Sequence, residues 1–387
     1  MNQISTPQKI FFVIFILIVI AFCTFGVLLF TLLLGGLYYI PLIITIALLL
    51  FLLFAFMIFQ FFKTKKRKIG FALFSVIVLM AASSWPIYQA YIDSIPTVST
   101  EVDVFQYVPF EESSKLVSLE EESTLKLSEP LPIIDGATAF YPLYAAFAQA
   151  TYPEKEYMPY ESEVMVNTTP YAYENLMYGK VDMIFVFEPS KEQMEKAKKL
   201  GVELTFTPIG KESFVFFVNQ KNEIDGLTLD QIKDIYSGKI TNWKDVGGKN
   251  VPIRAYQRPE GSGSQTALQA LMKDVPIMEA PRENIAAGMG EIINRVSEYR
   301  NFENSIGYTF RYYSQEMVGN NQIKLLSIDG VEPTKETIRS GEYPITMDFY
   351  IVTAGSDNPN VQKFIDWVLS PQGQGLVEKV GYVPMKE

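Results

Sequence analysis

Three apolar runs constrain this chain more than anything else in its 387 residues. Residues 10–34, 37–62 and 69–91 are each long enough to cross a bilayer as a helix, which takes about 20 residues. In hydrocarbon the backbone must satisfy its own polar groups, and an unbroken apolar run of this length does so only as a helix. Gly35 and Gly36 mark a turn between the first two runs, and "KTKKRK", residues 63–68, separates the second from the third. Five of those six residues are cationic, and short basic loops stay on the cytoplasmic side. The expected topology is multi-pass in the cell membrane, with Met1 inside and the residues after 92 on the extracytoplasmic face. Tyr38, Tyr39, Trp85, Tyr88 and Tyr91 fall near the ends of the runs, where interfacial aromatics collect.

Charge divides the chain at the same place. Residues 1–100 hold six Lys/Arg and one acidic residue, out of totals of 33 and 43, so the remainder carries a formal charge of −15. The flanks of "KTKKRK" are hydrocarbon-like, so its expected partner is membrane lipid and no nucleic acid. There is no histidine, which removes imidazole acid–base chemistry and the commonest neutral metal ligand. The single cysteine, Cys23, follows bulky Phe22 where a lipoprotein signal wants a small residue, so it reads as membrane-buried. Neither metal nor cofactor is expected, and no catalytic residue.

Residues 93–129 are acidic and serine-rich with little periodicity and read as a tether. "VDVFQYVPF", residues 102–110, is the exception, and could pack on the next domain as a short strand. From Leu131 short apolar runs alternate with helical stretches, the pattern of an α/β domain. "ESFVFFVNQ" and "YPITMDFYIVTA" read as buried strands. The stretch 130–387 is large enough for two lobes.

Three turn-to-helix junctions share one chemistry. Thr138 and Ala139 precede a helix opened near Pro142, Thr168 and Thr169 precede Pro170, and Ser262 and Ser264 precede "QTALQALM". Each offers unpaired backbone N–H groups, the positive end of a helix dipole and a hydroxyl. Such N-termini bind anions. Arg258 adds a planar donor fork suited to a tetrahedral oxyanion. Glu260 is expected to pair with Arg258, while Gly261 and Gly263 let the backbone approach closely.

Residues 130–387 resemble the substrate-binding proteins of phosphate ABC transporters, the PstS-like family. The resemblance rests on "GATAFYPLYAAFA", "YSGKITNWKDVGG", "RPEGSGSQT", "NSIGY" and "GYVPM". It implies a two-lobed, periplasmic-binding-protein-like (type II) fold that follows the all-α three-helix segment and closes on inorganic phosphate. Lobe 1 would be residues 130–217 and 346–387, and lobe 2 residues 218–345. The family's arginine, serine and threonine ligands carry over to Arg258, Ser262 and Ser264, with the amide of Gly263. Thr138 and Ala139 match its first loop, and Thr168 and Thr169 its serine loop. One departure concerns the family's carboxylate, which accepts a ligand proton at the end of an Ala-Ser-Asp run. Here Phe187 takes the aligned place and Glu188 follows it. Glu188 is either that acceptor or a strand-end surface residue.

Two functions follow from different classes. One is capture of extracellular phosphate for ABC permease subunits. The other is a membrane-anchored oxyanion sensor signalling to a separate partner. An enzyme is not expected, because the nucleophiles, bases and metal ligands it would need are missing from the pattern.

Overall fold

Leucine, isoleucine and phenylalanine dominate the first ninety residues, and they form three helices: α1 (Thr6–Leu33), α2 (Ile40–Ile58) and α3 (Lys65–Ser94). The computed structural model describes residues 5–95, 97–98, 102–280, 299–317 and 322–385. It divides into two compact units, Met1–Pro96 and Thr97–Glu387. In the first, all three helices are long and apolar enough to cross a membrane. Gly35 makes the first turn at φ +74°, a left-handed conformation that suits glycine. The second run ends earlier than its composition suggests, because Gln60 turns left-handed at φ 55°. The basic stretch is helical from Lys65, with Thr64 accepting a capping hydrogen bond from Arg67 N at 3.4 Å.

The second unit opens with residues 102–129, and here the structure corrects the tether. Val102, Val104, Tyr107, Val108 and Leu127 are buried in the apolar core or beside it. The segment is also bonded to the domain, through Phe110 N to Gln149 Oε1 at 3.1 Å and Leu127 N to Thr151 O at 2.8 Å. "VDVFQYVPF" packs as a single turn of 3₁₀ helix, Val104–Tyr107, and not as a strand.

Among the described residues, the strands are β1 (Thr97–Val98), β2 (Ile134–Gly136), β3 (Met183–Val186), β4 (Thr205–Asn219), β5 (Gly226–Leu227), β6 (Arg254–Ala255), β7 (Tyr299–Arg300), β8 (Ser305–Phe310), β9 (Ile323–Leu325), β10 (Ser327–Ile328), β11 (Thr346–Thr353) and β12 (Val383–Pro384). The main sheet runs β2-β3-β11-β4-β8-β6, with β9 and β12 also on β4. The helices are α4 (Tyr141–Thr151), α5 (Thr169–Met177), α6 (Lys191–Leu200), α7 (Leu229–Tyr236), α8 (Gly263–Met272), α9 (Lys335–Ser340), α10 (Val361–Val368) and α11 (Pro371–Val380). This is a mixed α/β fold of the two-lobed, type II kind.

The long strand β4 joins the two halves. As far as Ser213 it pairs with β11, and from Phe214 it pairs with β8. Glu212 sits at that change of partner, 2 % exposed. Its carboxylate accepts from Ser213 N at 2.7 Å and Tyr312 N at 3.0 Å. Burial pushes its pKa up to about 7, against the pull of those donors and of Arg311.

Candidate functional site

The strand β2 ends in a glycine for a steric reason. A β-carbon on Gly136 would lie 2.6 Å from Phe185 O and 2.8 Å from Tyr144 Cε1, closer than real carbons approach. The chain then turns through Thr138–Phe140 into α4, with Pro142 in its first turn. Thr168 is the N-cap of α5 but makes no side-chain capping bond, so its hydroxyl is not used by the helix. Ser262 caps α8 by accepting from Gln265 N at 3.3 Å. This helix begins at Gly263, which puts Ser264 inside its first turn and not ahead of it. Gly261, at φ +75°, makes the sharp entry.

These turns meet. Ala137 bridges Asn167, and Asn167 N donates to Gly136 O at 3.2 Å, which ties the first turn to the second. Beneath them lies Asp135, fully buried. It accepts from its neighbour Gly136 N at 2.7 Å, Asn167 Nδ2 at 2.9 Å and Asn175 Nδ2 at 3.0 Å. Burial raises the pKa of this carboxyl, and the three donors pull it back. The second turn faces the third. A β-carbon on Gly263 would lie 3.2 Å from Thr169 Oγ1, and one on Gly261 would lie 3.7 Å from Pro170 Cγ. Gln193 Nε2 donates to Gly261 O at 3.3 Å and joins α6 to the same turn. Three helix N-termini are therefore linked in one region.

Arg258 is half-buried, and its backbone is clamped. Its N–H donates to Gln265 Oε1 at 3.0 Å and to Tyr308 Oη at 2.9 Å, and Tyr308 in turn donates to Gln265. The guanidinium Nε is buried with no hydrogen-bond partner among the described residues. No salt bridge to Arg258 occurs among the described residues, and the expected pairing with Glu260 is absent. Glu260 instead accepts from Gln269 Nε2 at 2.8 and 3.0 Å, because the helix turn brings that amide round to it.

Glu188 is exposed, and its Oε1 accepts from Tyr350 Oη at 3.3 Å. Phe187, 2 % exposed, takes the inner position. Ala139 contributes its carbonyl, which accepts from Tyr382 Oη and ties the first turn to the "GYVPM" segment.

Sequence reasoning missed Asp135, Gln193, Gln265 and Tyr308. Gln193 and Gln265 carried a local signal, the Ser-x-x-Gln run that opens α6 and α8; Asp135 and Tyr308 carried none.

Comparison with known proteins gives a consistent set. A family model described as a PBP superfamily domain matches residues 132–372. The phosphate-binding protein PstS of Borreliella burgdorferi is 29% identical over 222 residues, covering 55% of this chain and 76% of that protein. PstS of Bacillus subtilis is 27% identical over 258 residues, covering 66% and 80%. Among solved structures, a putative phosphate ABC transporter substrate-binding protein with bound phosphate from Clostridium perfringens is 27% identical. It aligns with 65% of this chain and 98% of its own, at a TM-score of 0.49.

Proposed function

Because this chain belongs to the PBP superfamily, we propose that its second unit captures inorganic phosphate outside the cell for an ABC phosphate importer. The three helices of the first unit would hold it in the membrane, with "KTKKRK" on the cytoplasmic side. The single observation that carries this reading is the guanidinium of Arg258. Its backbone is fixed by Gln265 and Tyr308, yet its buried Nε has no partner among the described residues. Leaving a cation partly desolvated and unpaired is unfavourable unless an anion completes it.

The mechanism follows from the donors. The first turns of α4 and α5 belong to the lobe of residues 130–217 and 346–387, and α8 to the lobe of 218–345. An oxyanion accepting from both lobes stabilises the closed state over the open one. Thr138, Ala139, Thr168, Thr169, Ser262, Gly263 and Ser264 would supply amides and hydroxyls, and Arg258 the charge. Motion would be concentrated where β4 changes partner at Ser213 and Phe214. The reading is of a binding protein without turnover, in keeping with relatives that are named binding proteins.

Calorimetric titration of the full chain in detergent, in buffers free of phosphate and sulfate, tests this. Arg258→Ala should weaken phosphate binding by at least about 100-fold, as loss of one partner in a desolvated ion pair does. Unchanged affinity in that variant would remove the reading.

A further inference from the structure

Beside Gly263 stand the hydroxyl of Thr169 and the ring of Phe187. Phe187 Cδ2 would lie 3.8 Å from a β-carbon on Gly263. The Phe187 ring is stacked on Phe310, with centroids 3.7 Å apart and planes at 12°, and it tilts against Phe140 at 4.8 Å. This packing holds Phe187 inward, while Glu188, past the end of β3, is exposed and accepts from Tyr350. The other carboxylates close to the three turns are engaged elsewhere. Asp135 accepts from Gly136, Asn167 and Asn175, and Glu260 accepts from Gln269. The groups proposed above for the ligand are amide donors, neutral hydroxyls and one guanidinium. Among the described residues no carboxylate is free there to accept a proton from a ligand.

We propose that Phe187 sets the ligand class of this pocket as tetrahedral oxyanions whether or not they carry a proton, so that sulfate binds in competition with phosphate. The proposal rests on the oxyanion reading of Arg258 given above. A carboxylate against the ligand would hydrogen-bond a protonated oxyanion and repel one with no proton to offer. That repulsion between like charges in a desolvated site is what creates discrimination. An aromatic edge does neither. Selection is then left to charge, size and tetrahedral shape, which phosphate and sulfate share.

The test is titration of the full chain in detergent with inorganic phosphate and with sulfate, each alone and in competition. Wild-type protein should bind the two with dissociation constants within about tenfold of each other. Phe187→Asp should weaken sulfate by about 100-fold or more relative to phosphate. Since that substitution also breaks an aromatic stack, Glu188→Gln provides a check outside the core, and it should leave the phosphate-to-sulfate ratio unchanged. A wild-type preference for phosphate beyond about 100-fold, or a preference that collapses in Glu188→Gln, overturns the proposal while leaving the oxyanion site intact. Binding of either anion that survives Arg258→Ala indicts the site assignment itself.

Discussion

Asp135 shows how much of the site is held by a buried residue lying beneath its turns. Its carboxylate gathers donors from its own turn and from residues 32 and 40 positions further on. Asp135→Ala would leave three buried donors unsatisfied, and urea titration should show a loss of about 3 kcal/mol. Gln193 is a smaller case. Its bond to Gly261 O spans 68 residues and joins α6 to the α8 turn. Gln193→Ala should weaken phosphate about fivefold, the worth of one net hydrogen bond. The difference between what was legible and what was not lies in range. Arg258, Ser262 and Thr168 stand in local patterns, a turn before a helix, that can be read directly. Asp135 has no local signature because its partners are distant in sequence. The two-way choice at Glu188 was also undecidable locally. All four residues of β3 are buried, so alternation marked no outer face until the Phe187 ring found its stack.

At the level of elements, β4 was recognisable as "ESFVFFVNQ" but not in its full length, since its first half is less apolar and depends on pairing with β11. Within it, Glu212 gives a pH signature. Its folded pKa, about 7, lies above the ordinary carboxylate value of 4.5. The folded state therefore holds this proton more tightly than the unfolded one. Its contribution is complete below the unfolded pKa and is lost as pH rises through about 7. Stability of the second unit should fall across that window, and Glu212→Gln should flatten the profile in urea titrations at pH 5, 6 and 7. Residues 102–129 show the opposite failure of reading. Acidic and serine residues break up any periodicity in the segment, yet its scattered valines, leucines and tyrosine find the core.

Over the whole molecule, length and apolarity made the three membrane-type helices plain, whereas their orientation rests on cationic residues alone. Orientation can be read in intact cells in a Cys23→Ala background. Ser113→Cys should react with a membrane-impermeant maleimide, and Lys66→Cys should not; both positions are exposed. Labelling at Lys66→Cys only would reverse the topology. The second unit has its own molecular-scale property. One principal apolar cluster runs from Val102 to Val383, and the unbroken strand β4 serves both sides of it. Neither side owns a separate interior that would outlast the other. On heating, such a unit has no half to shed first, so a calorimeter should record a single endotherm for it, moved upward but not split when an anion is bound.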